Sequence, residues 1–327
     1  MPQIATFMRY VTINELSQII RDNLSSIPRD IDLVVGIPRS GMLAAEMIAL
    51  YLNIQLSDID SFAEGRVYSV GLTRSSDVVQ RPIHRVLVVD DSIYSGRAMD
   101  NARRRLQPIA DKYDLTYMAV IASSHGEKLV DISCTRIDDV RVFEWNLFEH
   151  GILQQAFCDI DGVLCDDPLE DDDGEKYRNF ILTAKPKFLP TIEIDTLITC
   201  RLEKYRTLTE QWLKEHNVRY RHLIMLNMPS RDARRQWGKH GEWKGMHYRN
   251  SDSLLFIESS SWQAEQIAKA SGKPVIDLEQ NRLISTARMP LKQRLKRRLR
   301  KRYPKLLNWL LRLRHGRTNI PQSIPKE

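Results

Sequence analysis

Residues 86–99 read VLVVDDSIYSGRAM. Four aliphatic residues run into two adjacent aspartates, Asp90 and Asp91, and then into a Ser- and Gly-containing stretch that opens a helix-forming segment. The run HRVLVVDD (84–91) is too apolar for a strand with one solvated face, so it predicts a strand buried on both faces. Its surroundings repeat the pattern. IDLVVGI (31–37) is a second short buried strand, followed by a helix over GMLAAEMIALYL (41–52). RAMDNARRRLQPIA (97–110) is the helix after the first strand, and LTYMAVIASS (115–124) and VRVFEW (140–145) are further strands. This β-α-β-α rhythm predicts an α/β fold with a doubly wound parallel sheet, in which ligands sit at the carboxyl ends of the strands.

A second α/β unit, again expected to hold a doubly wound parallel sheet, begins near residue 151. QAFCDIDGVL (155–164), IDTLITCR (194–201) and SLLFIESS (253–260) are strands, with helices over TLTEQWLKEHN (207–217) and SWQAEQIAKASG (261–272). No Pro- or Gly-rich linker separates the units, so they abut. The expected organisation is a first domain over 1–150, a second over 151–287 and a tail over 288–327.

The chain of 327 residues is long enough for two domains of ordinary size. Its net charge of +7 is uneven: residues 288–327 hold 14 Lys/Arg and one Glu, leaving 35 Lys/Arg against 41 Asp/Glu in the body. A mildly acidic body therefore carries a basic tail. The four cysteines form no C-x-x-C pair, which points to a reduced cytoplasmic protein without structural zinc. The N-terminus lacks a signal-peptide layout, and no apolar run reaches the ~18 residues of a membrane span.

Adjacent carboxylates repel, so Asp90 and Asp91 need partners: sugar hydroxyls, a metal ion or backbone donors. The segment Ser92 to Gly96 turns into a helix, whose N-terminal N–H groups favour an anion. Ser92 and Ser95 add hydroxyls, and Gly96 permits close approach. Acids that hold a diol beside a phosphate cradle describe a 5-phosphorylated ribose.

This stretch resembles the motif of type I phosphoribosyltransferases that binds 5-phosphoribosyl-1-pyrophosphate (PRPP). The resemblance implies that Asp90 and Asp91 hold the ribose hydroxyls and that Ser92, Ser95 and Gly96 bind the 5-phosphate. It covers about residues 1–150 and assigns Arg39, Ser40 and Gly41, in VVGIPRSGMLAAE (34–46), to pyrophosphate. It places a covering loop over 62–82, with Arg66, Tyr68 and Arg74, and an acceptor-binding hood at VFEW (142–145). Trp145 can stack there on a planar base or a sugar face. Two positions depart from the family. Tyr94 stands where 6-oxopurine enzymes place an acid, and Ala98 where a small hydroxyl residue is usual, so the match speaks for PRPP more than for a purine acceptor. Loss of pyrophosphate passes through an oxocarbenium-like state that positioning and charge stabilise, with Mg²⁺ on the pyrophosphate.

FCDIDGVL also ends a strand with acids, spaced i and i+2, which suggests a nucleophile and a proton-transfer partner converging on a phosphate. It resembles motif one of haloacid-dehalogenase-like (HAD) phosphatases. The resemblance covers about residues 152–285. It implies Asp159 as the nucleophile, Asp161 as the general acid/base, Thr199 as a phosphate-binding hydroxyl and Lys244 as the neutralising lysine. Mg²⁺ would be held by Asp159, Asp161 and Glu258. The fourth motif normally carries two acids; here Ser259 follows Glu258, and Asp252 is a candidate helper. The acidic insert CDDPLEDDDGEKY (165–177) stands where relatives place a flap or small cap.

In the tail, Leu291, Leu295 and Leu299 recur every four residues among Lys and Arg, and KLLNWLLRLR follows Pro304. That amphipathic pattern over 288–317 suits the anionic inner face of a membrane, with nucleic acid as the runner-up partner. Deleting residues 288–327 is expected to release the protein from anionic vesicles in co-sedimentation; unchanged pelleting would remove the membrane reading.

Taken together, these features point to transfer of 5-phosphoribosyl from PRPP, followed by removal of the 5-phosphate. The expected product is a ribofuranoside on a bacterial surface glycan. The alternative is a nucleobase phosphoribosyltransferase, orotate- or purine-like, with an attached nucleotidase domain.

Overall fold

The computed structural model describes residues 8–68, 82–168 and 173–285. Arg74 of the expected covering loop, part of the acidic insert and the whole basic tail lie outside the described residues.

The N-terminal unit runs β1 (Met8–Val11), α1 (Ile13–Asp22), β2 (Leu33–Gly36), α2 (Ser40–Leu52), β3 (Gln55–Asp58), α3 (Ile59–Ala63), β4 (Arg85–Ile93), α4 (Arg97–Leu106), β5 (Asp114–Ala122), β6 (Ile132–Arg136) and β7 (Val140–Phe143). Five strands form a parallel sheet in the order β3-β2-β4-β5-β6. The central strand shows why helices cover both faces. Leu87 and Val89 of β4 pack with Leu16, Ile20, Ala44 and Ile48 of α1 and α2. Val86 and Val88 pack on the other face with Phe62, Met99, Ala102 and Leu106 of α3 and α4. Each of these four strand residues is fully buried, worth roughly 1.5–3 kcal/mol apiece.

The second unit runs β8 (Ala156–Cys158), α5 (Glu175–Thr183), β9 (Ile194–Leu202), α6 (Arg206–Glu215), β10 (Tyr220–Leu226), α7 (Arg231–Trp237), α8 (His240–Arg249), β11 (Leu255–Glu258), α9 (Ser261–Ser271), β12 (Val275–Asp277) and β13 (Arg282–Ile284). Its sheet has the order β10-β9-β8-β11-β12-β13 and is parallel except for the antiparallel edge strand β13, which corrects the expectation of a wholly parallel sheet. α9 is closed at both ends by its sequence. The Ser260 hydroxyl accepts from Gln263 N, and Gly272 ends the helix at φ 72°.

The strand expected over 140–145 forms only as Val140–Phe143, and it does not join the main sheet. It pairs in parallel with β1 as a separate two-stranded ribbon. Because side chains alternate along a strand, the ribbon serves two cores. Val11 and Phe143 pack into the first unit. Met8, Tyr10 and Val142 pack against the second, with Cys158, Leu197, Trp212 and Ile257.

Among the described residues no helix is long and apolar enough to cross a membrane. All four cysteines are free thiols.

Candidate functional sites

β4 outlasts its neighbour β2, since their pairing stops at Gly36 and Val89. On its other side β4 stays paired with β5 as far as Ile93 and Ala122. Asp90 and Asp91 therefore lie within the strand, not beyond its end, where the sheet has opened on one side. The loop after β2 fills that opening. Ile37 N donates to Val89 O at 2.9 Å, a cis peptide joins Pro38 to Arg39, and α2 starts at Ser40. The Ser40 hydroxyl donates to Asp91 Oδ1 at 2.9 Å, and Asp91 N donates to Asp90 Oδ1 at 2.9 Å. A Cβ at Gly41 would sit 2.9 Å from Val89 O and 3.0 Å from Asp90 Oδ1, so only glycine lets the helix end approach the acids this closely. The structure thus brings Ser40 and Gly41 onto Asp90 and Asp91, with Arg39 exposed at the loop.

Both aspartates are buried. Burial and the Asp91 charge push Asp90 up to about 8. Ser92 is half-buried and Ser95 exposed, and Gly96, at φ 83°, precedes α4. Backbone N–H groups at the start of α4 therefore face the loop that the serines line. Arg141 was not foreseen from the sequence. It reaches from the ribbon to place its guanidinium 5.3 Å from the centre of the exposed Tyr94 ring, with weak contacts of 3.4 and 3.5 Å to Ile93 O. Nothing in VRVF marks Arg141 as different from any other strand arginine; only the ribbon's placement reveals it. Of the expected covering loop, Tyr68 donates to Asp58 Oδ2 at 2.5 Å and Arg66 pairs with Glu64.

In the second unit three neighbouring strands, β9, β8 and β11, deliver polar groups at their carboxyl ends. β8 stops at Cys158, so Asp159 to Gly162 form a turn, with Gly162 at φ 76°. A Cβ on Gly162 would meet Asp167 Oδ2 at 2.6 Å. Lys244, projecting from α8, donates to Asp159 Oδ2 at 2.7 Å and to Glu258 Oε2 at 2.8 Å. All three side chains are buried. Burial and the Glu258 charge raise Asp159 well above the usual carboxylate range. Burial alone would lower Lys244, but the two carboxylates hold it well above its ordinary value.

Asp161 is held differently. Arg201, fully buried, donates Nη2 to Asp161 Oδ1 at 2.6 Å and Nε to both carboxylate oxygens at 3.1 Å. Burial would lower the Arg201 pKa, but the Asp161 carboxylate raises it. Thr199 adds a long contact of 3.4 Å from its hydroxyl to Asp161 Oδ2. Arg201 was missed although it closes the quoted strand LITCR. A buried strand ending on a charge was the available signal, and its partner stands 40 positions away. Asp167, raised by burial and by the Asp161 charge, lines the same cavity.

The oxygens of Asp159, Asp161 and Glu258 are of the type Mg²⁺ takes. As arranged, Lys244 stands between Asp159 and Glu258 while Arg201 holds Asp161. Among the described residues no three His, Cys, Asp or Glu side chains converge as a metal cluster. Asp252 is exposed and precedes β11, at the opposite end of the strand from Glu258, so the structure removes it as a helper. Trp145, expected in a hood over the first site, lines the cavity that Asp159 and Asp161 line, and Asp90 and Asp91 are not part of that lining.

Residues 8–152 match the family model described as phosphoribosyl transferase domain. Among curated proteins none matches the chain. Similar solved structures include a purine phosphoribosyltransferase from Pyrococcus horikoshii. It is 19% identical, with 42% of this chain and 93% of that one covered at a TM-score of 0.31. A xanthine-guanine-hypoxanthine phosphoribosyltransferase from Helicobacter pylori is 12% identical, covering 42% and 93% at 0.34. An orotate phosphoribosyltransferase from Aeropyrum pernix is 20% identical, covering 38% and 70% at 0.28. With acids, loop and helix ends assembled on a parallel sheet inside the matched segment, residues 8–152 form a phosphoribosyltransferase-type domain.

Proposed function

We propose that the chain transfers 5-phosphoribosyl from PRPP to an acceptor and then removes the 5-phosphate at its second, HAD-like site. In the first step Asp90 and Asp91 accept hydrogen bonds from the ribose 2- and 3-hydroxyls. Ser92, Ser95 and Gly96, at the start of α4, hold the 5-phosphate, and Arg39, Ser40 and Gly41 hold the pyrophosphate. The C1–O bond to pyrophosphate breaks, the acceptor oxygen or nitrogen bonds to C1, and the acceptor proton leaves to solvent. Charge placement, not a covalent nucleophile, lowers the barrier. Mg²⁺, when bound, supplies charge neutralisation on the pyrophosphate.

In the second step Asp159 attacks phosphorus, the bond to the ribose 5-oxygen breaks and Asp161 passes its proton to that oxygen. Water then hydrolyses the aspartyl phosphate, giving up its proton to Asp161. Arg201 holds the Asp161 carboxylate in place through Nη2 at 2.6 Å and Nε at 3.1 Å, which fixes its direction for proton transfer. Thr199 and Lys244 line the phosphate position.

The observation that carries this reading is the shared ribbon, whose alternate residues pack into the cores of both units. The proposed acceptor is a bacterial surface glycan, brought to the enzyme at a membrane face held by residues 288–317. The aromatic wall that includes Trp145 favours a second reading, in which a planar nucleobase is the acceptor and the second site a nucleotidase.

The test is incubation with PRPP, Mg²⁺ and a panel of glycan acceptors and nucleobases, following pyrophosphate and product mass. A glycan product carrying ribose without phosphate is expected. Turnover with nucleobases only would replace the glycan by the nucleobase reading. No pyrophosphate release with any acceptor would overturn both.

A further inference from the structure

The cavity over Asp159 and Asp161 measures about 990 Å³, far more than a phosphate group needs. Its floor is polar and comes from the second unit: Asp159, Thr199 and Lys244. Its opposite wall comes from the first unit, through Tyr10 of β1 and through Glu144, Trp145 and Phe148 of the helical turn after β7. That wall is fastened across the boundary. Phe148 stacks on Phe188 with ring centres 4.4 Å apart and planes 3° from parallel. The Tyr10 hydroxyl donates to Asn281 Oδ1 at 2.8 Å. Trp145 stacks on Phe143 at 4.8 Å, which fixes its ring against the first core.

Two lining residues also carry unused hydrogen-bonding capacity. Trp145 Nε1 is a buried donor without a partner, and Gln263 Oε1, on α9, is a buried acceptor without one. Such groups in a folded protein call for a reason. An indole with a spare N–H and a spare amide oxygen lining one cavity match a hydroxylated ring: C–H groups against the indole face, hydroxyls to the polar atoms.

We propose that this cavity is one site in two parts. The floor takes the phosphoryl group, and the wall over residues 144–148, centred on Trp145, takes the pentose and the group attached to it. The first unit is thereby the cap of the second site. Its substrate class is a 5-phosphorylated ribofuranoside with an aglycone, in preference to small phosphate esters. This rests on the phosphatase reading above, and assigns Trp145 to product recognition after transfer.

The test uses the full chain, with phenyl ribofuranoside 5-phosphate and acetyl phosphate as probes. Trp145→Ala is expected to lower the ratio of kcat/KM for the ribofuranoside to that for acetyl phosphate by about tenfold or more, mainly through KM, with Trp145→Phe intermediate. An unchanged ratio overturns the proposal, as does a loss seen only in pyrophosphate release. Calorimetric binding of the ribofuranoside phosphate to Asp159→Asn supplies a readout without turnover. Binding that weakens about tenfold on adding Trp145→Ala supports the cap even if the wild-type chain hydrolyses neither probe, in which case the phosphatase reading alone fails. No binding, or binding indifferent to Trp145, overturns the cap.

Discussion

Replacing Asp159 by Asn is expected to cut phosphate release by roughly 10³-fold or more, the scale of losing a reacting nucleophile, while pyrophosphate release from PRPP continues. The variant should accumulate the phosphorylated transfer product. The substitution keeps the shape of the side chain and replaces a carboxyl whose ionised form burial and the Glu258 charge already disfavour. Lys244 keeps Glu258 as a partner at 2.8 Å, so no unpaired buried cation is left behind. Thermal stability of the variant is therefore expected to equal or exceed that of the parent, which separates a chemical defect from a folding defect. Mass spectrometry of the product and a melting curve check both halves. A phosphate-free product from this variant would remove Asp159 as the nucleophile.

Replacing Asp91 by Asn is expected to lower kcat/KM for PRPP by roughly 10²-fold, since a hydrogen bond to a charged partner is worth about 1.5–3 kcal/mol and the Ser40 hydroxyl loses its ionised acceptor too. Asp111→Asn, on an exposed residue outside the site, is the control; an equal effect of the two would overturn the assignment. The neighbour Asp90 gives a pH signature. Its pKa in the ligand-free fold is raised to about 8, first by burial and then by the Asp91 charge. The contribution of this group to stability is therefore complete below the ordinary carboxylate range and is lost as pH rises through about 8. Sugar hydroxyls that donate to the carboxylate favour its ionised form. Melting temperature of the ligand-free protein should thus fall as pH rises from the ordinary carboxylate range to about 8 and level off above it, and PRPP with Mg²⁺ should oppose the fall. Calorimetry at neutral pH in buffers of differing ionisation enthalpy should show proton release on PRPP binding, absent in Asp90→Asn.

Much of this arrangement was legible in the sequence where burial is continuous. VLVV of β4 and LVVG of β2 are aliphatic throughout because both faces of the sheet are covered, and each is followed by a polar loop at a helix start. The β3 strand QLSD was not legible: its one buried residue is Ser57, so no apolar pattern marks it. The edge strand β10 exposes Arg221 and His222 and buries only its last two residues, so its start carries no strand pattern. The extent of β4 past Asp91 depends on β5 continuing beside it, which local sequence does not record. Within the candidate sites, acids and phosphate loops announce themselves by type and spacing. Arg201 and Arg141 do not, because each acquires its meaning from a partner on another strand. Lys244 follows from the family resemblance and not from its neighbours in GEWKGMHY, because the two carboxylates it bridges come from β11 and from the turn after β8.

The two-stranded ribbon has a consequence for how such a chain can change over time. Its two four-residue strands come from opposite ends of the first unit, residues 8–11 and 140–143, and alternate residues answer to different cores. Inserting one residue in β7 would exchange Val142 and Phe143 between those cores. A cut after residue 150 would leave Met8, Tyr10 and Val142 facing water on one fragment and strip the packing around Trp212 and Ile257 on the other. Shuffling at that junction therefore yields two damaged proteins, and selection is left to act on the pair as a single heritable unit.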